Sequence, residues 1–191
     1  PYASPSITTD ISGNAIMVWT HDDINKPQIQ GFEIYYSTWD GNLWSTPGTV
    51  TDNYLPEFKP CVMFDSKDNA MATWTLFNNA SITANTSIFS ILGDVELAYS
   101  LWDKTTEVWS TPEILTNNSM FEGLVSLSND ITGNVATTWI VDKDNNMTTI
   151  SDRDIYYSIW NGTDWSEPKA VTTDVAVDIK PALAYSQNDA I

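Results

Sequence analysis

Apolar and polar residues alternate along this chain in short runs, and no segment carries the three-to-four-residue period of an amphipathic helix. A period of two predicts strands. Ser4–Thr9 reads as the first, and a turn over Asp10–Asn14 leads into Ala15–Thr20, whose residues suit a pleated, half-buried surface. Phe32–Trp39 alternates as a third strand. Asp40-Gly41 then predicts a tight hairpin, for which Asp-Gly and Asn-Gly are the strongest short-range signals. Trp44–Val50 returns as a fourth strand, and Pro47 within it suits an outer edge, where one N–H need not pair.

The pattern recurs. Tyr36-Ser37-Thr38-Trp39 returns as Tyr99-Ser100-Leu101-Trp102 and as Tyr157-Ser158-Ile159-Trp160. Each is followed by a second signature: Trp44-Ser45-Thr46-Pro47, Trp109-Ser110-Thr111-Pro112 and Trp165-Ser166-Glu167-Pro168. Upstream lies a third, Asp10–Trp19, Asp65–Trp74 and Asp130–Trp139, with nine residues from Asp to Trp each time. The third unit repeats the hairpin as Asn161-Gly162, whereas the second follows Asp103 with Lys104-Thr105 and is two residues longer.

Four-stranded units with tryptophans and turn residues at fixed places are the signature of β-propeller blades. The expected fold is therefore all-β: a β-propeller segment of four-stranded antiparallel blades, about three blades plus the first strand of a fourth. As one partial domain over 1–191, blade 1 covers about 1–55, blade 2 about 56–118 and blade 3 about 119–176, with the extra strand over about 177–191. Lys180–Tyr185 matches Lys59–Phe64, and Ile191 falls where Ala70 falls. Three blades leave both end faces exposed, so the expected structural partner is either the remaining blades of a longer chain or further copies in a homo-oligomer.

On the Asp-x-x-Gly-Asn turns (Asp68 takes the glycine place in the second) and the Tyr-Ser-x-Trp…Trp-Ser-x-Pro hairpins, the chain resembles the Asp-box, sialidase-like class of β-propellers and the related secreted lectin propellers. The resemblance covers essentially the whole chain. It implies an extracellular or cell-surface protein, often glycan-directed, with carbohydrate or another surface protein as partner. Its motifs specify scaffold, not chemistry. A sialidase-like site holds its acidic sugar with several arginines, because a planar guanidinium binds a carboxylate through two parallel hydrogen bonds. This chain has only Arg153, which argues against sialidase activity. The expected function is non-catalytic, in structure, adhesion or ligand binding. The alternative is a glycan-hydrolase-like propeller whose site is completed by missing blades or by oligomerisation.

Composition narrows the rest. Twenty-five Asp and Glu stand against eight Lys and Arg, a net charge of −17, which opposes phosphate backbones and excludes nucleic acid as partner. Cys61 is alone and cannot build a disulfide framework, and His21 alone cannot build a histidine zinc site. Pro1–Pro5 carries neither a basic n-region nor an apolar h-region, so the chain reads as a mature or excised segment. The uncharged stretch Asn69–Gly93 is long enough to span a bilayer but is interrupted by Asn, Ser and Thr, so no membrane insertion is expected within the chain. All nine tryptophans fall on the repeat, which points to packing in preference to sugar stacking.

Calcium is the one candidate cofactor. Asp142, Asp144, Asn146 and Thr148 place oxygen ligands at alternate positions, with Asp152 and Asp154 close behind. An EF-hand would need glycine at Met147 and a bidentate Glu at Arg153, so the competing reading is a solvated hairpin loop. Asp22-Asp23 and His21 read as surface groups, and Cys61 as a small buried hydrophobe at a strand start. Sequons stand at Asn79, Asn85, Asn117, Asn146 and Asn161. Residues 77–95 form the longest insertion, with 25 residues from Trp74 to Tyr99 against 17 and 18 elsewhere, and are the first place to seek a recognition surface.

Overall fold

The computed structural model describes residues 3–27, 29–65, 67–130, 132–146, 148–149 and 151–185. In them the chain folds into three antiparallel sheets in sequence order. The first holds β1 (Ser6–Thr9), β2 (Ala15–Asp22), β3 (Phe32–Trp39) and β4 (Gly48–Thr49). The second holds β5 (Glu57–Phe64), β6 (Ala70–Phe77) and β7 (Val95–Asp103), and its outer place is divided between β8 (Val108–Trp109) and β9 (Glu113–Ile114), both paired with β7. The third holds β10 (Phe121–Asn129), β11 (Val135–Asp142), β12 (Arg153–Trp160) and β13 (Lys169–Ala170). No α-helix occurs among the described residues, only short 3-10 turns at Ile88–Ser90 and Leu92–Asp94, and no described helix could cross a membrane.

The repeated signatures are hydrogen-bonding devices. Asp10, Asp65 and Asp130 each accept, on Oδ1, the N–H groups two and four residues on, at 2.8–2.9 Å. This fixes the turn between the first two strands of each sheet. The serines fasten the outer segment. Ser37, Ser100 and Ser158 donate Oγ–H to the backbone oxygens of Ser45, Ser110 and Ser166 at 2.7–2.9 Å. The hydroxyls of Ser45, Ser110 and Ser166 in turn accept from the N–H of Thr38, Leu101 and Ile159. Side chains thus replace the ladder that proline interrupts, and the continuous strand expected over Trp44–Val50 is a single bridge at Trp39–Trp44, a gap, and β4.

Three further expectations are corrected. The hairpin at Asp40-Gly41 is a four-residue turn inside the Trp39–Trp44 bridge, because the Asp40 carboxylate caps both Asn42 and Leu43. Cys61 lies within β5, past a bulge, and donates its thiol to the Val125 carbonyl at 3.2 Å. Burial pushes that thiol up to about 11. The first strand starts at Ser6, not Ser4.

The core lies between the sheets. Ile16, Val18 and Ile34 of the first pack against Val62, Phe64 and Trp74 of the second, and Met71, Leu97 and Tyr99 of the second pack against Leu127, Trp139 and Trp160 of the third. Strand alternation sends the Asp turns and outer hairpins to one end. The connections from second to third strand, and those from each sheet to the next, gather at the other.

Candidate functional site

At that second end, the starts of the innermost strands line one shared cavity of about 510 Å³. Ser4, Lys59, Leu124 and Lys180 occupy the same repeat position, all face it, and all take left-handed backbone angles, with φ between 37° and 56°. In β5 and β10 this residue is one of the two that oppose a single partner residue at a β-bulge. Non-glycine residues held there carry strain of the order of 1–2 kcal/mol each. Phe58, Phe77 and Phe121 supply an apolar wall, and Arg153 completes the lining with Lys59 and Lys180. Three of the chain's eight cations thus meet in one place, and no carboxylate, His or Tyr lines the cavity among the described residues. The repeat aligns Lys180 with Lys59 in the sequence, but nothing in it says that equivalent positions of successive units meet at one cavity or that Arg153 joins them.

The acidic loop stands at the same end. Asp142, Asp144 and Asp152 bring carboxylate oxygens within 4.8 Å of one another. Asp142 is fully buried and accepts from Arg153 Nε at 2.9 Å. Asn146 is held in the loop by its N–H, which donates to Asp144 at 2.8 Å, and its side-chain oxygen accepts from the Thr148 hydroxyl at 2.7 Å. Asp154 is outside the triad and pairs with Lys143. Met147 lies outside the described residues. Of the six candidate ligands, then, three carboxylates converge, two polar side chains bond each other beside them, and one carboxylate is spent on a lysine.

Sequence reading missed a second set of carboxyl groups. Glu33 and Glu57 are both buried at the joint between the first two sheets, bridged by Asn53, which donates its N–H to Glu33 at 3.0 Å and its amide to Glu57 at 3.2 Å. Lys26 reaches Glu33 at 2.5 Å. Glu96, Asn118 and Glu122 repeat the arrangement at the next joint, at 2.7 and 3.1 Å. Burial pushes Glu57 up to about 8, and the neighbouring Glu33 carboxylate adds to it. Burial and Glu96 likewise lift Glu122 to about 7. The signal was present as Glu at matching repeat positions, followed in the third unit by Asp154 and Asp178.

The 77–95 insertion packs Ile82, Ile91 and Leu92 inward and leaves Ile88 and Phe89 exposed. Gln30 of the first unit donates to its Ala80 carbonyl. His21 is exposed and its ring lies 4.2 Å from that of Tyr35.

Three solved structures share this arrangement of sheets. The Hadza microbial sialidase Hz136 is 14% identical with a TM-score of 0.65, over 91% of this chain and 39% of its own. A protein of unknown function from Dyadobacter fermentans is 12% identical with a TM-score of 0.56, over 91% and 55%. The NanB sialidase from Streptococcus pneumoniae is 10% identical with a TM-score of 0.56, over 92% and 45%. At these identities the likeness is one of fold, and the chain spans about half or less of each structure. No protein-family model matches the sequence, and no curated protein matches it.

Proposed function

We propose that this chain is part of a β-propeller from an extracellular or cell-surface protein, acting without catalysis in structure, adhesion or ligand binding, with the shared cavity as the ligand seat. The observation that carries this reading is the lining: Lys59 and Lys180, with the Asp142-paired Arg153, beside three phenylalanines, in a chain of net charge −17. Such a seat suits an anionic ligand with an apolar face, held by charge and by the aromatic wall. The names of two structural neighbours make acidic glycans the first class to test. Calcium belongs to the same reading, at the Asp142, Asp144 and Asp152 triad.

Hydrolysis is the second reading, favoured by those same names. Glycosidases of the common kinds need two carboxyl groups or a tyrosine nucleophile at the bond, and the described lining offers neither, so further units would have to supply them. A glycan array with neutral and acidic members, run beside aryl-glycoside hydrolysis, separates the two. Binding should favour acidic members, weaken with salt, and drop about tenfold in a Lys59→Ala, Lys180→Ala double variant, about 1.4 kcal/mol. Turnover by the chain, or binding indifferent to both lysines, would sink the proposal.

A further inference from the structure

The geometry points to a binding site for a small organic cation, a primary ammonium on an apolar stem, in the cleft between the second and third sheets at the end that carries the Asp turns. This is the end opposite the shared cavity, and the site is independent of what that cavity binds. The cleft holds about 550 Å³, a volume that suits a small ligand. Trp102, Trp109 and Trp160 give it indole surface, and Asp65 and Asp103 give it carboxylate. Carboxylates and indole rings both attract an ammonium, and indole also takes up the apolar stem behind it.

The chain itself places an ammonium in the equivalent cleft between the first and second sheets. There Asp10, Asp40 and Trp39 stand in the places of Asp65, Asp103 and Trp102, and Trp102 stands in the place of Trp160. Lys104 enters that lining and pairs with Asp68 at 2.5 Å. The bond to Asp68, with the charges of Asp68 and Asp10, holds the ammonium above its ordinary value. In the third unit both members of this pair are glycine. Gly133 follows Asp130 as Asp68 follows Asp65, and Gly162 follows Trp160 as Lys104 follows Trp102. Both glycines line the larger cleft, and a Cβ on Gly162 would meet nothing within 4 Å. The volume accordingly grows from about 190 to about 550 Å³. The acidic and aromatic walls are kept, and the cation that answers them is not.

The two carboxylates are oriented by backbone alone. Asp65 Oδ1 accepts the N–H groups of Lys67 and Asn69 at 2.8 and 2.9 Å, and Asp103 Oδ1 accepts those of Thr105 and Thr106 at 2.7 and 3.0 Å. Among the described residues neither forms an ion pair, so their charge is left for a ligand. Lys67 also lines this cleft and pairs with no described carboxylate. It is the like charge a bound ammonium would meet.

The test is a titration with phenethylammonium, followed on the indole N–H signals of the isotope-labelled chain. Trp102, Trp109 and Trp160 should shift saturably and Trp39 should not, and phenylethanol, the uncharged counterpart, should move them far less. Asp103→Asn should weaken binding about threefold or more. The hairpin should survive that change, because Asn161 caps the same turn by accepting from Thr163 and Asp164 at 2.9 and 3.0 Å. Lys67→Ala should tighten binding, since a like charge leaves the rim. A Lys104→Ala, Asp68→Gly double variant should open the first cleft and bring Trp39 into the titration as a second site. No saturable shift below ~10 mM amine, equal binding of the alcohol, indifference to Asp103→Asn, or an unmoved Trp39 in the double variant would overturn the proposal. So would binding that appears only with Lys67→Ala, because the chain's own lysine would then be the occupant.

Discussion

Asp130 accepts four hydrogen bonds inside a five-residue turn, two from backbone N–H groups and two from the side chains of Thr132 and Asn134. Burial works against its charge, but these bonds prevail and hold the carboxyl below its usual value. Asp130→Ala should therefore cost about 1–3 kcal/mol in urea unfolding, since bonds to a charged acceptor are the stronger kind. The glycine of the turn has a separate reason. Gly13 and Gly133 sit at φ of 87° and 97°, where a Cβ is penalised, so Gly133→Ala should cost about 1–2 kcal/mol by the same measurement. Asp68 takes that place in the second unit at φ 62° and pairs with Lys104 at 2.5 Å across the exposed surface. Asp68→Gly should stabilise by less than about 1 kcal/mol, the relieved strain being partly offset by the lost pair. A loss there would show the ion pair to be the stronger effect.

Between sheets, the coupled carboxyl pairs make stability depend on pH in an unusual direction. Glu57 and Glu122 keep their protons to about 8 and 7 in the folded chain, against 4.5 for an ordinary Glu. From about pH 4.5 upward the folded state therefore binds more protons than the unfolded state, and stability falls as pH rises towards 8. The surface turns act oppositely. Backbone N–H groups hold Asp40 and Asp103 below 3.8, so their contribution is present above that value and is lost as pH falls through their folded values. Thermal melts should peak in mildly acidic buffer, and a Glu57→Gln, Glu122→Gln double variant should flatten the decline between pH 5 and 8. An unchanged decline would remove the joints as its cause. The acidic loop makes its own prediction: calcium should raise the melting temperature, chelator should reverse it, and Asp144→Asn should abolish the effect. Calcium indifference at millimolar levels would leave the loop a solvated hairpin.

For the whole molecule, the three units were legible in the sequence because each is local: turn, strand pair and hairpin lie within about sixty residues and repeat in kind. Phe32–Trp39 was read to the residue, since alternation and an Asp-x turn bound it on one side. The outer strand was not, because serine side chains stand in for its ladder and periodicity does not register that exchange. The tryptophans show the same division. Their recurrence announced packing, and Trp74 and Trp139 are indeed fully buried, but Trp19 in the same position is only half-buried because no described sheet lies on its other side. Sequence spacing offered Asp142, Asp144, Asn146, Thr148, Asp152 and Asp154 as one candidate set, and the fold brings the carboxylates of Asp142, Asp144 and Asp152 together while Asp154 pairs with Lys143. By itself, then, the sequence determined the strands, their grouping and an acidic surface poor in arginine, all of which follow from local pattern and composition. Only the tertiary structure decided where its few cations and buried carboxyl groups stand. Packing three like sheets side by side brings equivalent positions about sixty residues apart onto one cavity and one series of joints, and no local pattern encodes that proximity.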